Sequence, residues 1–96
     1  MLTDSGEMDR NRGAAGKLVV YGRSECHLCQ QMIADLQQQQ TRIVFEFVVI
    51  DIDVDPVLVA RYNDKIPVLI ALPDETEICH HFLNLQALDD YLAKIR

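Results

Sequence analysis

The chain is short of basic residues: nine Lys and Arg stand against fifteen Asp and Glu, a formal charge of −6 at pH 7. Nucleic-acid binders need a basic face to neutralise phosphates, so this balance argues against that class of partner. No apolar run approaches the roughly 20 residues of a membrane span. Cysteines number three, an odd count, and a structural disulfide framework is not expected. Residues 1–16 hold Asp4, Glu7 and Asp9 and lack the apolar stretch of a signal peptide. They read as a flexible N-terminal arm, with the cytoplasm as the expected compartment. Tryptophan is absent and aromatics make up 6% of the chain, yet 49% of residues are hydrophobic. That suffices for one small domain, residues 17–96, with a core of its own. No internal repeat interrupts it.

The most informative feature is Cys26-His27-Leu28-Cys29, directly after the apolar run Leu18-Val19-Val20-Tyr21. Two cysteines at this spacing hold half of a metal site or cycle between dithiol and disulfide. Their setting favours the second. A β-like run precedes them and a helical pattern begins at the pair, with Leu28, Met32, Ile33 and Leu36 at helical spacing. A helix N-terminus has free N–H groups and a partial positive charge, which stabilise a thiolate. A zinc knuckle wants a second ligand pair at a related spacing.

The remaining pattern predicts a βαβ unit and more. The first helix continues through residue 40 as a solvated turn. Residues 43–50 are β-rich and nearly continuously apolar from Phe47, as expected of a strand covered on both faces. Strands joined by such a helix should be parallel. Asp55-Pro56 opens a second helix, Asp as N-cap and Pro at the first position, with Leu58, Val59 and Tyr62 inward. Residues 66–71 form a third strand, and Pro73-Asp74-Glu75-Thr76 a turn. Residues 77–82 form a fourth strand, antiparallel to the third. Asn84 caps a last helix with Leu85, Leu88, Leu92 and Ile95 as its apolar stripe. The fold class is α/β, in the order βαβαββα, with a four-stranded mixed sheet flanked by helices.

This order, the Cys-x-x-C at the start of the first helix, and Ile66-Pro67-Val68-Leu69 resemble the thioredoxin superfamily. Within it the chain is most similar to small glutaredoxin-like proteins, over roughly residues 17–96. Tyr21-Gly22-Arg23-Ser24-Glu25-Cys26 resembles their active-site loop, in which a basic residue, here Arg23, lies three positions before the first cysteine. The resemblance implies a cis bond before Pro67, facing the cysteine pair, and thiol–disulfide oxidoreductase activity in cell redox homeostasis. It implies no cofactor beyond the redox-active disulfide. Partners would be protein disulfides or small thiols, with a dithiol or flavoprotein reductant, and the protein would be a monomer. Departures are local. His27-Leu28 replace the usual Pro-Tyr, and residues 82–87 lack the Gly-Gly and acidic residue that receive glutathione. Glutathione binding should therefore be weak.

Exchange chemistry assigns the roles. Cys26 stands ahead of the helix and is the expected nucleophile; Cys29, one turn in, is the resolving thiol. Arg23 and protonated His27 would support the thiolate, and Glu25 would oppose it. Tyr21, Arg23, His27, Leu28, Ile66 and Pro67 are the candidate substrate-binding residues. Cys79 reads as an ordinary small hydrophobe. His80 and His81, as strand neighbours, should face opposite ways and not share a metal. Asp51, Asp53 and Asp55 alternate like a calcium loop, but Pro56 and Tyr62 occupy its Gly and Glu positions. They read as a strand end leading into a helix cap. The alternative from another class is a metal- or iron–sulfur-binding protein or a non-catalytic adaptor of the same fold.

Overall fold

The computed structural model describes residues 17–95, and the expected arm lies outside the described residues. Strand β1 (Lys17–Gly22) leads into helix α1 (His27–Gln39), strand β2 (Glu46–Asp51) and a 3-10 turn (Ile52–Val54). Helix α2 (Pro56–Tyr62), strands β3 (Val68–Ala71) and β4 (Thr76–His80), and helix α3 (Leu85–Ile95) follow. The sheet order is β2-β1-β3-β4. β1 and β2 are parallel, while β1–β3 and β3–β4 are antiparallel. This is the expected mixed α/β fold.

The alternation along β1 and β3 separates two apolar layers. Leu18, Val20, Leu69 and Ala71 join Met32 and Leu36 of α1 and Leu88 and Leu92 of α3. Val68 and Ile70 point the other way, against Ile52 and Tyr62. A two-residue period in the strands thus meets α1 and α3 on one face and α2 on the other. Among the described residues no helix is long and apolar enough to cross a membrane.

Several boundaries differ from the sequence reading. β2 begins at Glu46, not at residue 43, because the chain turns at the end of α1 and drops Phe45 into the core. The Gln40 side chain holds this turn by donating to the Phe45 carbonyl at 3.0 Å. β2 is also not covered on both faces, since Val48 and Val49 remain 45% and 49% exposed, and it lies at the edge of the sheet. β3 starts two residues late, since Ile66-Pro67 is a cis bond outside the ladder. β4 ends at His80 because His81 has φ 67°, which breaks the extended run. Leu85 is 46% exposed and lies off the buried stripe of α3, which Leu88 and Leu92 form. A second cis bond, Leu72-Pro73, sits in the hairpin turn.

The caps follow the sequence. Asp55 accepts from the Val57 N–H at 2.9 Å, and Asn84 from the Ala87 N–H at 3.0 Å. Leu36, fully buried between α1 and the sheet, tests the larger layer. Leu36→Ala should lower unfolding free energy by about 2–5 kcal/mol in urea titration. A loss below 1 kcal/mol would mean that this layer does not hold the fold.

Candidate active site

The site forms where β1 ends and α1 begins. Cys26 is the N-cap of α1 in extended conformation, and its sulfur accepts the Cys29 N–H at 3.1 Å. The first helical hydrogen bond, Gln30 N–H to the Cys26 carbonyl at 3.1 Å, closes directly behind it. The sulfur thus occupies the position of a capping oxygen, at the positive end of the helix. Cys26 and Cys29 are joined as a disulfide, with Cα atoms 5.1 Å apart. That spacing lies within the ordinary range for such a bond. Cys26 is partly exposed and Cys29 is 2% exposed, so only one of the two sulfurs is open to a partner.

Gly22 makes this packing possible, and the sequence reading did not single it out. A Cβ there would lie 2.7 Å from the Cys29 sulfur and 3.1 Å from its Cβ. The residue has no positive φ, so glycine is needed for space and not for conformation. A glycine closing a strand just before the cysteines was the available signal. Beside this contact is a cleft of about 240 Å³, walled by Gly22, Cys29, Ile33, Val49 and Asp51.

Pro67 arrives at the same end of the sheet. Tyr21 pairs with Val68, so the next step of the antiparallel register sets Gly22 across from Pro67. The bond before it is cis, as expected. Ile66 N–H and C=O have no partner among the described residues, while the Pro67 carbonyl accepts the His81 N–H at 2.7 Å. His81 also reaches the Asp64 carbonyl through Nε2 at 3.0 Å. Two contacts thus hold its left-handed backbone, a conformation histidine tolerates better than most residues. Because His81 has left the strand, the opposite-face argument does not apply to it. The two imidazoles meet edge to face at 4.8 Å. Among the described residues no three His, Cys, Asp or Glu are placed to hold a metal ion.

The other candidates divide. His27 and Leu28 are exposed at the start of α1. Tyr21 lies on the opposite face of the sheet, stacked on Tyr62 at 4.7 Å, and burial pushes its phenol pKa up. Arg23 does not stand free. Its Nε donates to both carboxylate oxygens of Asp53, at 3.0 and 3.1 Å. Asp53 was read only as part of a solvated strand end; the sequence separation of 30 hid the pairing. Cys79 is half-buried in β4, and desolvation raises its thiol pKa, opposed by the Asn84 backbone N–H.

The family profile described as Glutaredoxin-like domain (DUF836) matches residues 17–93. The chain belongs to that family. The solution structure of a Nitrosomonas europaea protein is 48% identical to this domain, with a TM-score of 0.71, over 78% of this chain and 88% of that one. An X. campestris protein is 30% identical, with a TM-score of 0.65, over 80% and 96% of the two chains. Thioredoxin 1 of Thermosipho africanus, 22% identical over 81% and 96%, has a TM-score of 0.56 and shares the fold. No curated protein matches significantly. This glutaredoxin-like domain is thus a thioredoxin-fold domain with a Cys-x-x-C at disulfide distance.

Adding one methyl group at Gly22 tests the close packing. Gly22→Ala should lower stability by about 1–3 kcal/mol in denaturant and slow closure of the Cys26–Cys29 disulfide by dilute oxidant. Unchanged stability and closure would show that the Cys29 side chain yields without cost.

Proposed function

We propose that this domain is a thiol–disulfide oxidoreductase that uses Cys26 as nucleophile and Cys29 as resolving thiol. One observation carries the reading: the exposed member of the pair caps a helix N-terminus while its partner sulfur is buried against Gly22. In the reduced protein the Cys26 thiolate attacks one sulfur of a substrate disulfide and releases the first thiolate. A mixed disulfide remains on Cys26. Cys29, deprotonated, then attacks the Cys26 sulfur and releases the second thiolate. Two electrons leave the dithiol, and the Cys26–Cys29 disulfide remains. A dithiol or flavoprotein donor returns them.

The substrate backbone has a place to dock. The unpartnered Ile66 N–H and C=O can pair with an extended segment, and exposed Leu28 and Phe82 add apolar surface. Tyr21 contributes through its stack on Tyr62 and not through substrate contact. A metal or cluster held by Cys26 and Cys29 would need ligands from beyond the described residues, such as a second chain. Metal content of protein purified under reducing conditions tests that alternative.

Alkylation of the reduced protein near neutral pH should modify Cys26 first. Cys29 is shielded, and burial pushes the Cys79 thiol pKa up. Cys26→Ser should abolish disulfide reduction, and Cys29→Ser should accumulate mixed disulfides visible by mass spectrometry. Equal labelling of the three cysteines, or retained turnover in Cys26→Ser, overturns the assignment.

Glutathione fits poorly. Arg23 is engaged by Asp53, and the segment before α3 carries exposed Phe82 and half-buried Leu83 where typical glutaredoxins keep a bare backbone. Its affinity for the Cys29→Ser variant should be millimolar or weaker, about 4 kcal/mol by calorimetry. Micromolar binding would show that the missing Gly-Gly matters little.

A further inference from the structure

We propose that this site selects disulfides by charge, taking those flanked by cationic groups over anionic ones, and that Asp53 sets the preference by holding Arg23. The proposal rests on the oxidoreductase reading and names its substrate class.

Among the described residues every arginine is engaged. Arg23 pairs with Asp53 at 3.0 Å, Arg42 with Asp89 at 3.1 Å and Arg61 with Glu75 at 2.9 Å. Lys65 reaches Glu77 at 3.4 Å. Lys17 and Lys94 have no ion pair among the described residues, but both lie away from the dithiol. Lys17 starts β1, whose far end carries Gly22, about 17 Å along an extended strand. Lys94 is in the last turn of α3. Tyr91, one turn earlier, lies within electrostatic reach of Asp74 in the hairpin turn. That turn is tied to the Lys17 end of the sheet by the Leu72 N–H at 2.9 Å from the Lys17 carbonyl.

Carboxylates, by contrast, surround the sulfurs. Glu25 precedes Cys26, is exposed and has no ion pair among the described residues. Asp51 walls the cleft beside Cys29 and, among the described residues, accepts only the Asp53 N–H, at 2.8 Å. Arg23 and Asp53 cancel, which leaves two uncompensated negative charges. The α1 N-terminus offers about half a positive charge, too little to reverse them. The attacking Cys26 thiolate adds another negative charge at encounter. An anionic disulfide meets repulsion from each of these, and a cationic one meets attraction.

The test uses three small disulfides that differ in charge: cystamine, neutral hydroxyethyl disulfide and dithiodiglycolate. Reduction by the dithiol protein is measured at pH 8, above the histidine range. Each rate is divided by the rate of the same disulfide with dithiothreitol, a neutral dithiol that also regenerates the protein. At ~10 mM salt the normalised rate for cystamine should exceed that for dithiodiglycolate about tenfold, and the ratio should fall toward one at ~500 mM salt. Asp53→Asn, which frees Arg23, should cut the ratio at least about threefold. Arg23→Gln, which leaves Asp53 unpaired, should raise the ratio, and adding Asp53→Asn to it should return the ratio to about the starting value. Equal normalised rates for cation and anion at low salt, or a ratio unmoved by Asp53→Asn, overturn the charge inference alone. No reduction of the neutral disulfide overturns the oxidoreductase reading, and the inference with it.

Discussion

Parallel pairing of β1 with β2 is the constraint from which the rest follows. Parallel strands cannot be joined by a tight turn, so a crossover element must return the chain to the starting end of the sheet. α1 is that element, and it must begin where β1 ends. Its free N–H groups are therefore delivered to the carboxyl edge of the central strand, where open α/β sheets commonly bind ligands. Cys26 stands at that junction because the topology puts a helix start there. Cys29 falls inward because it is three residues on, on the stripe shared with Met32 and Leu36. Gly22 then fixes how closely helix and strand approach.

Much of this was legible in the residues. The period-two pattern of β1, the 3.6-residue pattern of α1 and the capping residues Asp55 and Asn84 are local signals, and local signals survive folding. The resemblance correctly placed the cis bond before Pro67. Misreadings fell where tertiary partners decide. Phe45 looks like strand, yet the turn held by Gln40 sends it into the core. The apolar run of β2 implied two covered faces, but Val48 and Val49, which point to opposite faces, stay half-exposed. His81 counts as strand by composition; its contacts to Pro67 and Asp64 impose a left-handed backbone instead. Arg23 was legible as a functional position, and its partner was not. A side-chain pair between a loop and a 3-10 turn leaves no periodic trace.

The arginine–aspartate pair bears on the site without touching its cysteines. The pair is partly exposed, with side chains 34% and 57% accessible, so its contribution to stability is small. Its consequence lies in what it withholds. A guanidinium beside a reactive sulfur is an anion receptor when free and a neutral surface when matched. One carboxylate on a neighbouring turn changes the chemical character of the site while leaving backbone, helix cap and disulfide as they are.

The open side of β2 has its own consequence for colloidal behaviour. An edge strand with two half-exposed valines is a template on which a second chain can add. Here the strand is short, and it begins with Glu46 and finishes with Asp51. Antiparallel apposition of two such edges would bring Glu46 of each copy toward Asp51 of the other; parallel apposition would set like residue beside like. Either arrangement confronts carboxylates across the new ladder, and the net charge of −6 opposes approach from any direction. The acidity of this small domain therefore acts as a gatekeeper against self-templating. That guard weakens as carboxylates take up protons, so storage under acid is the condition in which these valines become adhesive.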